Sequence, residues 1–406
     1  MRRIDPRNFK VATRGTAREI NRRIALSLVR AHQPISRADL ARLMRTRRGA
    51  VGLLVNELIG KGLIFEGATG QTLRGRRPKF LYIDSRKRCV VAVDIRVLRT
   101  YVMVTDLVGH QLASVTSFPT QSDPKHFAAD LVKRIQSILQ EHRDLGKCQG
   151  VGVVVPGMVE HPTGRVLNAP NLRWRDVQLK EPLEAGLGLP VHLENSGKAC
   201  ALAQIWSTRN HSSNPSSLVF VSVSDGVGVG VVVGGELLRG QHNIAGEFGH
   251  VPISVDGPRC ACGATGCWQA YVSNLATLSR YFGRDLRSLK PHPREAVPLT
   301  IDDLLSRARS GDGKAVAAVQ STARYLGLGL GALVNAIDPA VIYLSGEITA
   351  VWDLIEETVR AGLAERALTP SAGRTPIQIV PPEQYPRLRG AAALVAMPAF
   401  AAPVVA

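Results

Sequence analysis

Ala245-Gly246-Glu247-Phe248-Gly249-His250, followed by Cys260-Ala261-Cys262-Gly263-Ala264-Thr265-Gly266-Cys267, is the densest chemical signal in this chain. Three thiols fall within eight residues, and an imidazole lies ten residues before the first of them. Cys3His is a standard tetrahedral donor set for structural zinc. The Cys-x-Cys step is tighter than the usual Cys-x-x-Cys, and Gly263 and Gly266 supply the sharp turns it needs. The expected cofactor is therefore Zn2+ held by His250, Cys260, Cys262 and Cys267. The other cysteines, Cys89, Cys148 and Cys200, stand apart on apolar stretches and read as small core residues.

Around this stretch, apolar runs alternate with helical periodicity. Strands are expected at 90–95, 101–106, 151–155, 191–193, 218–223, 227–233 and 341–345, with a helix near 124–142, which is an α/β pattern. Hydrophobic residues make up 45% of the chain but aromatics only 5%, so aliphatic side chains must fill the cores. No apolar run is long enough to span a bilayer. Met1-Arg2-Arg3-Ile4-Asp5-Pro6 lacks the apolar region of a signal peptide, and the protein is read as cytoplasmic with no membrane partner. In that compartment thiols serve as metal ligands more readily than as disulfides.

Charge divides the chain. Residues 1–88 hold 22 of the 51 Lys+Arg and 6 of the 33 Asp+Glu, a net of +16, whereas 89–406 carry a net of only +2. A basic block beside a near-neutral body points to a nucleic-acid-binding head. Ile20, Ile24 and Leu28 recur at helical spacing within 16–31. Ser36-Arg37-Ala38-Asp39 resembles a capping box opening a short helix through Leu40 and Leu43. Thr46 is placed to cap a third helix that buries Val51, Leu54, Val55 and Leu58 and ends at Gly62. Phe65 and Phe80 then flank a Gly/Arg-rich segment as two strands flank a β-wing. This order is that of a winged helix-turn-helix (1–70), followed by a basic wing and linker (71–88) and a body (89–406). Arg45, Thr46, Arg47 and Arg48 lie at the start of the third helix, where side chains meet base edges or phosphates of double-stranded DNA. Gly75-Arg76-Arg77-Pro78 is a second DNA signal, because extended arginines fit a narrow minor groove.

The whole chain resembles the ROK family of bacterial sugar kinases and sugar-responsive repressors. The opening stretch carries the resemblance. Pro156-Gly157-Met158-Val159, Asn168-Ala169-Pro170-Asn171-Leu172, Glu194-Asn195, Gly226-Val227-Gly228-Val229-Gly230 and Leu333-Val334-Asn335-Ala336-Ile337-Asp338-Pro339 support it in order. The head and its Gly-Arg-Arg-Pro resemble the repressor branch, which the xylose and N-acetylglucosamine repressors typify. The resemblance implies an actin/hexokinase-like body of two lobes with a sugar cleft between them, and a homodimer or dimer of dimers. It places Asn171, Asn195, Glu247, His250 and Gln269 in that cleft, Gln269 standing where family members have Glu. His250 has two implied roles, zinc ligand and sugar contact. Glu247 has a plainer alternative as a capping or ion-paired carboxylate.

The same resemblance implies lost catalysis. Kinases of the family carry a general-base Asp at the position of Ser196, and a serine hydroxyl is not ionised near neutral pH. Asp94-Ile95 is followed by Arg96-Val97 where kinases have two glycines cradling phosphate. Ser224-Asp225 replaces a Gly-Thr pair, and Ser345-Gly346 replaces Gly-Gly. The expectation is a non-enzymatic transcriptional repressor; the alternative is an active sugar kinase that also binds DNA.

Overall fold

The computed structural model describes residues 14–69, 78–85, 87–208, 215–286 and 299–400. Arg76 and Arg77 lie outside the described residues.

The head opens with α1 (Arg14–His32), which buries Ala25, Leu26 and Val29. After β1 (Ile35–Ser36), Ser36 Oγ accepts the Asp39 N–H at 3.1 Å and donates to the Asp39 carboxylate at 2.6 Å. That local exchange starts α2 (Arg37–Leu43). The third helix, α3 (Arg48–Gly60), buries Val51, Leu54, Val55 and Leu58. Strands β2 (Ile64–Thr69) and β3 (Lys79–Ile83) pair antiparallel, and β1 joins the far edge of β3. The result is a winged helix whose second wing strand falls within 71–88. Arg37 ties it together, donating to Glu66 at 2.9 Å, to Asn56 at 2.9 Å and to the Gly52 carbonyl at 3.3 Å.

Thr46 does not cap α3. The cap residue is Arg47, which offers no side-chain cap bond. Arg45 takes a left-handed conformation (φ 50), and this turn sets Thr46 one residue too early.

In the body, β4 (Arg88–Ile95), β5 (Arg99–Asp106) and β6 (Thr116–Pro119) form an antiparallel meander. Helix α4 (Pro124–Glu141) leads to β7 (Lys147–Val155). A small sheet of β8 (Met158–Val159), β9 (Arg165–Ala169) and β10 (Trp174–Gln178) follows, then α5 (Lys180–Leu187) and β11 (Val191–Asn195). The first large sheet has the order β11-β7-β4-β5-β6, with β4, β7 and β11 parallel. Helix α6 (Ser196–Thr208) leaves it for a second sheet of β12 (Leu218–Val223), β13 (Val227–Val233), β14 (Glu236–Leu237), β15 (Ile342–Gly346) and β16 (Ile377–Ile379). Its order is β14-β13-β12-β15-β16, again a three-strand antiparallel meander joined to parallel strands. The two lobes therefore repeat one topology, as the actin/hexokinase-like expectation requires.

Two helices sit between the sheets. Helix α6 packs on β13 and β12, and the last helix, Pro386–Phe400, packs on β7, β4 and α6. Missing side chains let them approach. A Cβ on Gly152 would overlap the Ala391 carbonyl, and one on Gly390 would overlap that of Ala199. In the second lobe the long helix Gly313–Ile337 packs along Trp352–Arg366 over a core of Val219, Val221, Leu330 and Leu344. Among the described residues, no helix is long and apolar enough to cross a membrane.

Candidate metal centre, interlobe cleft and nucleic-acid surface

The thiol-rich loop folds back on the short helical turn Phe248–His250. Isolated bridges pair Pro252 with Cys267 and Arg259 with Thr265, and Gly263 (φ 100) and Gly266 (φ 71) make the turns between the cysteines. One donor atom from each of His250, Cys260, Cys262 and Cys267 lies within 4.8 Å of all the others. Cys260 Sγ is 3.7 Å from His250 Nδ1, and Cys262 Sγ is 3.7 Å from Cys267 Sγ. Metal–sulfur bonds of about 2.3 Å in a tetrahedron imply sulfur–sulfur edges of about 3.8 Å, so the four donors fit a single ion. Burial keeps the His250 imidazole neutral by lowering its pKa, the form that ligates. Burial also pushes the Cys267 thiol up to about 12, with the neighbouring thiols adding to the shift, and raises Cys260. A bound cation would favour their thiolates.

His250 also reaches the cleft between the lobes, an open depression with a cavity volume of about 70 Å³. The cleft brings all five expected ligand residues, Asn171, Asn195, Glu247, His250 and Gln269, to one place with Ser196, Arg96 and Arg387. Their hydrogen bonds divide them. Asn195 is committed to the fold: Nδ2 donates to the Gly157 carbonyl at 2.9 Å, and Oδ1 accepts the Gly197 N–H at 2.8 Å, starting α6. Gln269 is equally committed, with Nε2 donating to Cys260 Sγ at 3.1 Å and Oε1 accepting the Val227 N–H at 3.4 Å. It joins the Cys3His cluster to the cleft wall. Asn171 and Glu247 make no side-chain hydrogen bond among the described residues. Burial raises the Glu247 carboxyl pKa, opposed by the charge of Lys198.

Behind the cleft lies a buried polar cluster of which the sequence motifs contained only Glu194. Glu194 is fully buried and accepts from Arg239, with His161 Nε2 at 3.3 Å. Burial opposes its charge, but the bonds from His161 and Arg239 hold its carboxyl below the ordinary range. Lys198, 1% exposed, donates to the Asn243 carbonyl, and burial depresses its pKa. Arg239 lies 45 residues from Glu194; no local pattern joins them.

On the cleft wall, Arg96 occupies the β4–β5 turn. It donates to Asp94 at 2.7 Å and lies 4.6 Å over the Tyr101 ring. Ser196 opens α6 at the cleft wall, and Asp225 lines the same space.

On the head, arginines sort by partner. Arg18 and Arg22 pair with Glu57, Arg23 with Glu19, Arg37 with Glu66 and Arg42 with Asp39. Arg45, Arg47 and Arg48 are exposed and make no ion pair among the described residues. They cluster at the uncapped N-terminus of α3, where free backbone N–H groups and the helix dipole favour an anion.

Residues 90–397 match the model of the ROK family. The chain belongs to the ROK family. Among ROK proteins it is 28% identical over 359 residues to the xylose repressor of Bacillus subtilis (strain 168), covering 88% of this chain and 89% of the repressor. A solved ROK family transcriptional regulator, a homologue of the E. coli MLC protein, matches with a TM-score of 0.77 at 25% identity over 95% of this chain and 97% of its own. A ROK family glucokinase from Streptomyces griseus, solved with glucose and AMPPNP, matches with a TM-score of 0.63 at 26% identity over 75% of this chain and 98% of its own. The likeness to the regulators thus extends over the winged helix, and that to the kinase is confined to a ROK body.

Proposed function

We propose that this ROK protein is a sequence-specific DNA-binding transcriptional repressor whose body binds a polyhydroxylated ligand without phosphorylating it. The observation that carries the reading is the winged helix with three unpaired arginines at the start of α3, fused to a sugar-kinase-like body as in the repressors it is similar to. Arg45, Arg47, Arg48 and Thr46 would meet DNA in the major groove, and Arg76 and Arg77 in the adjoining minor groove. Two copies would read the two halves of an inverted repeat, as a homodimer or a dimer of dimers acting in the cytoplasm.

In the cleft, the free groups of Asn171 and Glu247 and the imidazole of His250 suit sugar hydroxyls, which both donate and accept. Asn195 and Gln269 would shape the wall more than contact the ligand, because their amides are already bonded. Zn2+ on His250, Cys260, Cys262 and Cys267 would brace the segment that carries Glu247. Ser196 cannot take a proton from a sugar hydroxyl at neutral pH, and Arg96, tied to Asp94, stands where phosphate would need open backbone.

The test is selection of bound fragments from sheared genomic DNA of the host at physiological salt. A few fragments sharing an inverted repeat are expected. Recovery of bulk DNA alone would refute sequence-specific regulation. ATP consumption over a panel of pentoses, hexoses and N-acetylhexosamines tests the pseudokinase reading, and turnover lost on Ser196→Ala would overturn it.

A further inference from the structure

The two helices between the lobes have a common layout. Helix α6 begins at the cleft with Ser196, and the last helix begins there with Arg387. Both end against the head. Arg30 of α1, 5% exposed, donates to the Trp206 carbonyl at 2.6 Å and lies 3.2 Å over the Trp206 ring. Ser27 of the same helix donates to the Phe400 carbonyl at 2.7 Å. The Trp206 and Phe400 rings meet edge-on at 5.3 Å. So α1 bonds a main-chain carbonyl near the head end of each helix.

The helices are also locked to each other. Gly390 lies against the Ala199 carbonyl near the cleft end, and Trp206 against Phe400 at the head end. They therefore run side by side for roughly 10–15 Å, at about 1.5 Å per residue. A close-packed pair of this kind shifts as a unit rather than deforming. The joint also holds a buried donor, Trp206 Nε1, that has no hydrogen-bond partner among the described residues.

We infer that the cleft controls the DNA head through this helix pair, with Arg30, Trp206 and Phe400 as the joint that reads its position. The inference rests on the proposed function, since it supplies the regulation of the same cleft. Ligand filling the space beside Ser196 and Arg387 displaces the starts of both helices, and the bonds from α1 to Trp206 and Phe400 carry that displacement to the winged helix. Arg30 is a positioning residue that touches neither ligand nor DNA.

The test uses the full-length protein, with an introduced side chain as the cleft occupant. Ser196→Tyr fills the cleft end of one helix and Arg387→Gln perturbs the start of the other; Ser196→Val replaces the first if tyrosine prevents folding. Amide hydrogen exchange along α1 and affinity for a selected operator fragment are read in each. The expected change is at least about fivefold in α1 exchange, the low end of usual coupling between sites, with operator affinity shifting alongside. Arg30→Met, which keeps bulk but removes the charge and the bond to the Trp206 carbonyl, should abolish the α1 response while amides at 197–201 still respond. Unchanged α1 exchange in the cleft variants, or a full response surviving Arg30→Met, overturns the relay. Absence of any operator would refute the regulator reading instead, and the exchange result would still decide the relay.

Discussion

Replacing both Arg47 and Arg48 by alanine isolates the charge proposed to meet DNA. Neither side chain has a partner to lose among the described residues, and both precede or open a helix with no side-chain cap. The fold should therefore be unaffected and the whole effect should fall on binding. Each phosphate contact contributes about 0.9 to the slope of log K against log salt, so two contacts give ~1.8; over the fourfold range from about 50 to 200 mM that is roughly a tenfold loss that the variant would no longer show. Fluorescence anisotropy on an operator duplex at four or five salt concentrations measures the slope directly. Arg23→Ala, which removes an arginine already paired with Glu19 at 2.9 Å, is the control and should leave the slope nearly unchanged. An unaltered slope in the double variant, or an equal fall in the control, would refute the assignment of DNA contact by absence of an internal partner. A uniform loss across operator sequences would mark phosphate contacts, and altered sequence preference would mark base contacts.

Elemental analysis should find one metal ion per chain, and Cys262→Ala or chelation should lower the melting temperature by on the order of 5–10 °C, equivalent to about 3 kcal/mol in a body of this size; far less than one ion per chain would sink the metal centre. Ser196→Asp should not create ATP turnover, because Arg96 remains bound to Asp94 where open backbone is needed; measurable sugar-dependent ADP release would contradict this. The Glu247 pKa is raised by burial, so its protonated form suits the fold: the stability it contributes is complete below the ordinary value of 4.5 and is lost as pH rises through the folded value. Glu247→Gln should therefore raise the melting temperature at pH 7, with the gain fading as the pH falls toward 4.5. A gain that grows on acidification would reverse the sign and the argument.

The sequence by itself determined what local chemistry determines. Ser36 and Asp39 are three residues apart, so their capping exchange was visible in the text of the chain. The buried face of α3 followed from helical spacing, and the Cys3His cluster from three thiols in one short loop with an imidazole ten residues before it. Family motifs then brought the two-lobed body and its cleft within reach. Tertiary structure decided everything that depends on partners far apart in sequence. It showed Arg47 rather than Thr46 at the cap of α3, because one left-handed residue, Arg45, shifts the phase of the turn. It put Cys89 opposite Cys148 on adjacent strands, although each looked solitary in the sequence. It separated Asn171 and Glu247, whose polar groups are open, from Asn195 and Gln269, whose amides are bound to Gly157, Cys260 and Val227. It also joined Arg30 to Trp206 across 176 positions. A side chain's type is written in the sequence. Whether that side chain is free to act depends on which distant groups the folded backbone brings within hydrogen-bonding range.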